Sequence, residues 1–311
     1  MEKVEDLKWK KGISVKELVE KLGRVGFQSI ELSRASDVIV KMKRENAKIY
    51  FSFTSNMVTS GLRGFFAQLI KLGMVDVIVT TVGGIEEDLM KAKGESFLIG
   101  RFRSNDVELH EKGMNRVGNL LIPNDAYVKF EGSMAKMIRK LYKKKKGYAV
   151  SEFLHELGLM IRDEDSILYQ AARKNVPIFC PAITDGALGF HLFMFQQDHP
   201  DFIIDVVKDF QNLLGSSTYD EKKGIIALGG GVSKHHAILG LLINGGADYA
   251  VYMTTAREVS GSMSAATTDE AKSWGKIKDN SEAATVNGDV SILFPLAMMK
   301  ALDVLSEEGL V

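Results

Sequence analysis

The stretch Asp76-Val77-Ile78-Val79-Thr80-Thr81-Val82-Gly83-Gly84-Ile85-Glu86-Glu87-Asp88-Leu89 decides the fold. Its apolar, β-branched run over 75–79 reads as a buried strand. The strand empties into a small polar turn with two glycines, and a helix is expected from 85 onward. Glu86, Glu87 and Asp88 would then fall in the first turn of that helix, where carboxylates suit its dipole.

The same grammar recurs on both sides. Residues 49–53 open into Thr54-Ser55-Asn56, and a helix over 57–72 follows, ended by Gly73. Residues 176–180 open into Pro181-Ala182-Ile183-Thr184-Asp185-Gly186, and 225–228 into Gly229-Gly230-Gly231-Val232-Ser233-Lys234-His235-His236. Residues 249–253 open into Thr254-Thr255-Ala256, and a short run at 283–286 precedes Gly288-Asp289 and a closing helix over 291–305. Strand, turn and helix in repetition predict a parallel sheet with crossover helices. The expectation is an α/β fold: one large Rossmann-like domain over 1–311, its mostly parallel sheet carrying helices on both faces. Ligands of such sheets bind at the carboxyl ends of the strands, where these polar turns lie.

Away from these blocks the pattern is plainer. Ser14-Val15-Lys16-Glu17 has the form of a capping box opening a helix that Gly23 closes, and a second helix is expected over 28–46. Residues 97–131 show no clear period. Helices are expected at 134–141, 151–157, 165–174 and 203–214, the first running into Lys143-Lys144-Lys145-Lys146, a solvated helix end.

Forty basic residues balance forty acidic ones over 311 positions, so no global field argues for nucleic acid or an anionic membrane. The single cysteine, Cys180, excludes an intrachain disulfide and fits a reducing compartment. No apolar run reaches membrane-spanning length, and the charged amino terminus has no signal-peptide core. A cytoplasmic protein is expected. His235 and His236 are adjacent and face different ways on a helix, and His191 and His199 lack partners at ligand spacing, so no metal site is expected.

Chemistry concentrates in a few turns. The Gly-Gly-Gly and Thr-Thr-Val-Gly-Gly turns let backbone approach a phosphate, although neither is the G-x-G-x-x-G fingerprint. Asp185 is either a ligand contact or a turn residue. Glu270 and Trp274 stand four apart, on one helix face, and a carboxylate beside an aromatic ring grips an amine cation. In Ser273-Trp274-Gly275-Lys276-Ile277, a lysine set beside an indole and a glycine turn would shed its proton if buried. The neutral amine is then a nucleophile for imine chemistry. A solvated surface lysine is the alternative.

Taken in order, these blocks resemble the deoxyhypusine synthase family across nearly the whole chain. Thr54-Ser55-Asn56, residues 76–89, Asn115-Arg116-Val117-Gly118-Asn119-Leu120-Leu121, residues 181–186, residues 228–236, Gly246-Ala247-Asp248-Tyr249-Ala250-Val251-Tyr252 and residues 273–277 carry the resemblance. It implies an NAD-dependent aminobutyl transfer. The donor is a polyamine, usually spermidine, and the acceptor is a lysine of the hypusine-carrying translation initiation factor. By resemblance Lys276 is the catalytic lysine, and His235 belongs to the catalytic and substrate-binding set with Glu270 and Trp274. Ser55, Asn56, Thr81, Gly83, Glu87, Asp185, Gly230, Thr255, Ala256 and Asp289 would bind NAD. A homotetramer is implied as well. The chain departs from the family at Phe190, Leu239, Ser260 and Met263, where polar or acidic residues usually serve the polyamine, and its amino terminus is expected to lack the blocking extension of longer relatives. A homospermidine-synthase-like transferase with a free amine acceptor, or a weakly active NAD-binding structural paralogue, are the alternative readings.

Overall fold

The computed structural model describes residues 3–311. They form two compact units, one made of residues 3–53, 72–79 and 213–311, the other of 54–71 and 80–212.

The first unit holds five parallel strands in the order Ile277–Asn287, Ala247–Thr254, Lys223–Leu228, Lys48–Phe53, Val77–Val79. One row of the ladder runs Ala284, Val251, Ile226, Phe51, Ile78. The central strands are buried at nearly every position, which is why their sequence shows unbroken apolar runs and no alternation. Tyr50, Phe51, Phe53, Tyr252 and Phe294 are almost completely buried here, each contributing about 1.5–3 kcal/mol of transfer free energy. The Gln28–Arg44 and Val290–Glu307 helices pack on one another, and Val232–Leu242 packs against the strands. The mostly parallel sheet flanked by helices is thus the architecture expected.

The edge strand is the main surprise in this unit. Expected over 283–286, it runs Ile277–Asn287 and begins directly after Lys276. Exposed Asp279 and Asn280 near its start break the apolar run that marks a strand in the sequence.

In the second unit the Val82–Ala92 helix starts three residues earlier than expected. Glu86, Glu87 and Asp88 consequently lie beyond its first turn, and all three are buried, so the dipole does not explain them. Asp88 accepts from Arg63 Nε at 2.5 Å, Ser166 Oγ at 2.8 Å, and the Ile167 and Leu168 N–H groups at 3.2 and 2.8 Å. It caps the Ile167–Lys174 helix from outside. Asp88→Ala takes from the buried Arg63 guanidinium one of its two carboxylates, leaving it Asp163, and frees that cap, so a loss of about 2–4 kcal/mol is expected in urea unfolding. A loss under 1 kcal/mol would show that the network is idle.

Residues 97–131 contain a small antiparallel sheet, in the order Leu98–Ile99, Leu120–Pro123, Met114–Val117, with Gly118 at φ 61° in its hairpin. The Asn124–Lys144 helix is far longer than the expected 134–141. An Ala187–Asp198 helix was not expected at all, and 203–214 divides into an Ile203–Asp205 strand and a Val206–Leu214 helix. The helix expected over 57–72 starts at Ser55 and passes through a π-helical turn at Val58–Leu62, where Gly61 takes φ 102°. No described helix is long and apolar enough to cross a membrane.

Candidate active site

The lysine of interest is placed by a helix ending. Thr267 caps the Thr268–Ser273 helix, its hydroxyl accepting from the Glu270 N–H at 3.2 Å. At the other end the Gly275 N–H reaches the Lys272 carbonyl at 2.8 Å, and the Lys276 N–H reaches the Ala271 carbonyl at 3.1 Å. That is the paired closure of a Schellman motif, and it needs the left-handed φ of 66° that Gly275 supplies. The chain then enters the edge strand, with the Ala247 N–H bonded to the Lys276 carbonyl at 3.1 Å. Gly275→Ala should cost about 1–2 kcal/mol from the backbone alone. It should also depress any activity of Lys276 more than stability, measured by chemical unfolding beside turnover.

Lys276 is 6% exposed, and its Nζ lies 5.2 Å from the centre of the Trp274 ring, which itself stands open to solvent. Burial lowers the pKa of the amine, while Glu270 opposes the shift. The crevice is narrow, with a cavity volume of about 10 Å³, and is lined by Met263, Tyr252, Glu270, Trp274, Lys276 and a second lysine, Lys234. Lys234 is 1% exposed, with Nζ 2.5 Å from the Ala266 carbonyl oxygen and 4.1 Å from the Tyr252 ring centre. Burial pushes it down to about 8, with Glu270 opposing and Lys276 adding to the fall. The Tyr252 hydroxyl is buried with no hydrogen-bond partner among the described residues. His235 is half-buried, and burial and then the nearby Lys276 charge lower its pKa. The crevice therefore joins two amines whose pKa values burial lowers, one carboxylate, an indole and an unsatisfied hydroxyl.

Lys234 had escaped the sequence reading. The signal was present: Lys234, Ile238 and Leu241 repeat at helical spacing, so the lysine occupies a place in the buried stripe of the Val232–Leu242 helix. Of the four departures, Met263 lines this crevice, while Leu239 and Ser260 do not. Phe190 lies in the other unit, exposed on the Ala187–Asp198 helix.

The remaining site residues fall in two groups, one per unit. In the second unit Thr81 precedes the Val82–Ala92 helix, and its hydroxyl accepts from the Ser55 N–H at 3.1 Å. Gly83 packs so closely that a Cβ there would stand 2.9 Å from that of Ser55. Asn56 Oδ1 accepts from Thr54 Oγ1 at 2.5 Å. Glu87 accepts from Thr59 Oγ1 at 2.6 and 2.8 Å, and burial pushes its carboxyl up to about 7. Asp185 is exposed on the turn before the Ala187–Asp198 helix.

In the first unit Gly230 is required by its own neighbours, since a Cβ would meet the Ser264 Cα at 2.1 Å. Thr255 is exposed, and the Ala256 N–H reaches Thr254 Oγ1 at 3.0 Å. Asp289 caps the Val290–Glu307 helix, with Oδ1 accepting from the Ser291 N–H and Oγ at 2.8 and 2.6 Å. The Val82–Ala92 and Val232–Leu242 helices begin without a side-chain cap, leaving first-turn N–H groups for an anionic ligand. That chemistry suits a dinucleotide phosphate. No group of three or more potential metal ligands occurs among the described residues.

Residues 17–301 match the sequence model of the family described as deoxyhypusine synthase. A Schizosaccharomyces pombe protein named as a probable deoxyhypusine synthase is 39% identical over 302 residues, covering 92% of this chain and 86% of that protein. A Thermococcus onnurineus protein of the same name is 39% identical over 305 residues, covering 93% and 91%. Among solved structures, a candidate deoxyhypusine synthase from Entamoeba histolytica matches with a TM-score of 0.70 at 29% identity, over 97% of each chain. With the match running from the first helix to within the last, the chain belongs to the deoxyhypusine synthase family.

Proposed function

We propose that this transferase moves an aminobutyl group from a polyamine, spermidine by expectation, to a lysine of the hypusine-carrying translation initiation factor. The observation that carries the reading is Lys276, an amine held nearly out of solvent against an indole, with a pKa lowered by burial. Bound NAD would supply the redox chemistry, oxidising the donor amine first and reducing the transferred imine last. Ser55, Asn56, Thr81, Gly83, Glu87, Asp185, Gly230, Thr255, Ala256 and Asp289 are the residues that would hold it.

Lys276 acts between those two redox steps. Its neutral Nζ adds to the imine carbon of the oxidised donor, a new C–N bond forms, and the diamine portion leaves with a proton. The acceptor lysine then displaces Lys276 by the same addition and elimination. A depressed pKa serves both halves, since the amine must be unprotonated to attack and a good leaving group afterwards. Glu270 and Trp274 would grip an ammonium of the donor, His235 would line the same passage, and the orphaned Tyr252 hydroxyl offers a partner to a donor amine. The reading expects a homotetramer, for which exposed Phe190, Phe193 and Met194 supply apolar surface to bury.

The test combines purified protein, NAD, spermidine labelled in its aminobutyl arm, and the translation factor. Label on one lysine of the factor supports the reading. Label recovered only in a free polyamine would show a small-amine acceptor, and no NAD-dependent label at all would sink it.

A further inference from the structure

We propose that Glu86 is a positioning residue: from the Val82–Ala92 helix it caps the Ala187–Asp198 helix, and its charge state sets how firmly the preceding turn, with Asp185, is held. The inference rests on the NAD reading above and adds a regulation to that site.

The Ala187–Asp198 helix begins at Gly186, which has no side chain to satisfy the first N–H groups. The acceptor comes instead from the other helix. The Leu188 N–H donates to Glu86 Oε1 at 2.7 Å, and the Ala187 N–H also bonds this carboxyl. A Cβ on Gly186 would stand 2.5 Å from the same oxygen, so only glycine lets the contact close. One turn on, Gly189 packs on the turn itself, where a Cβ would stand 2.3 Å from the Thr184 Cα. Residues 184–186 are thus pinned between Glu86 and their own helix, while Asp185 projects into solvent. Glu86 also stands beside Glu87 and one helical turn after Val82, so the turn at Thr81 and Gly83 and the turn at Asp185 are tied through one side chain.

No cation among the described residues balances that side chain. Burial at 6% exposure is the largest influence, the two N–H bonds oppose it, and repulsion from Asp185 adds to it, so the carboxyl is pushed up to about 7. The neighbouring groups do not change this. Glu87 faces Thr59 and Lys91, while Asp88 turns to Arg63 and Ser166. Tyr127 and Cys180 feel the charge of Glu86 without offsetting it, and His191 lies against Phe130 at 5.6 Å.

The sign follows from linkage. The closed contact binds the proton more tightly than the opened one, where Glu86 returns toward its ordinary 4.5. The contact is therefore at full strength below about pH 4.5, weakens as the pH rises, and is weakest above about 7. Protonated, Glu86 still accepts the Leu188 N–H through its carbonyl oxygen. Ionised, it gains from opening the turn to water.

Amide exchange at Leu188 in the NAD-free protein tests this, with the intrinsic base-catalysed rate divided out. In the wild type the residual opening should grow by up to about tenfold per pH unit between pH 5 and 7, then level off. Glu86→Gln keeps an acceptor oxygen and cannot ionise, so its profile should be flat. Glu87→Gln should retain the slope at Leu188. NADH affinity, read by fluorescence titration, should be weaker at pH 8 than at pH 6 in the wild type, and Glu86→Gln should remove part of that difference. A flat wild-type exchange profile, or a slope that survives Glu86→Gln, overturns the cap. Flattened exchange with an unaltered NADH profile overturns the positioning role. A wild type that binds no NADH at any pH sinks the functional reading, and with it the link to the cofactor, whatever the exchange shows.

Discussion

Lys276→Arg is expected to abolish transfer, by at least about a thousandfold, while NAD binding stays within about twofold of the wild type. The guanidinium matches the charge and most of the length of the lysine, so the crevice keeps its shape. It stays protonated at every usable pH and cannot form an imine. Reduction with borohydride during turnover should attach labelled donor to the wild-type protein and leave the variant bare. Peptide mapping adds a sharper criterion, because a second buried amine shares the crevice. Lys234 is pushed down to about 8 and could compete as nucleophile. It is held against the Ala266 carbonyl at 2.5 Å over the Tyr252 ring, however, whereas Lys276 lies beside a solvent-open indole. Label on Lys276 is expected. Label that persists on Lys234 in the arginine variant would transfer the catalytic role to the other lysine. The pH dependence has a sign as well. The pKa of Lys276 is lowered, so trapping should rise with pH and level off at a lower pH than an ordinary lysine would require.

The parts legible in the sequence were those where local and global preferences agree. Runs such as Val77-Ile78-Val79 and Ile225-Ile226-Ala227-Leu228 are strands because β-branched residues there are buried on both faces, and their order gave the parallel sheet. Reading failed where tertiary packing chose against local chemistry. Val82-Gly83-Gly84 looks like a turn, yet it is the first turn of a helix, because Gly83 must approach Ser55 and Gly84 is buried. The Ala187–Asp198 helix was invisible for a different reason. Phe190, Phe193 and Met194 face outward, so apolar residues surround the helix and no 3.6-residue period survives. In the site, the indole and glycine beside Lys276 left a solvated lysine as the alternative, and the family resemblance of residues 273–277 singled it out. Lys234 carried only its place in the apolar stripe of the Val232–Leu242 helix, and Glu86 read as a first-turn carboxylate. A buried charge next to apolar neighbours looks like a surface charge until its partners are known.

Glu270→Gln should weaken binding of the donor by roughly tenfold to a hundredfold, with NAD affinity unchanged. The crevice around Lys276 is lined by two lysines and one carboxylate, and Met263 contributes an apolar wall. A polyamine brings further positive charge into this space. Glu270 supplies the counter-charge there, and a charge-assisted hydrogen bond to an ammonium contributes about 1.5–3 kcal/mol. Solvent reaches Glu270, which places the expectation toward the lower end of that range. The same substitution acts on the lysines, with the opposite consequence for chemistry. Glu270 holds the pKa values of Lys234 and Lys276 up against burial. Without it both amines lose their protons at lower pH, so the trapping of Lys276 should begin earlier on the pH axis even as donor binding declines. The pair of opposite shifts separates this role from a merely structural one, since a misfolded crevice would lower both. Donors with fewer charges, such as a diamine, should suffer less from the change than spermidine. Equal affinity of Glu270→Gln and the wild type for every donor in such a panel would remove Glu270 from the donor site.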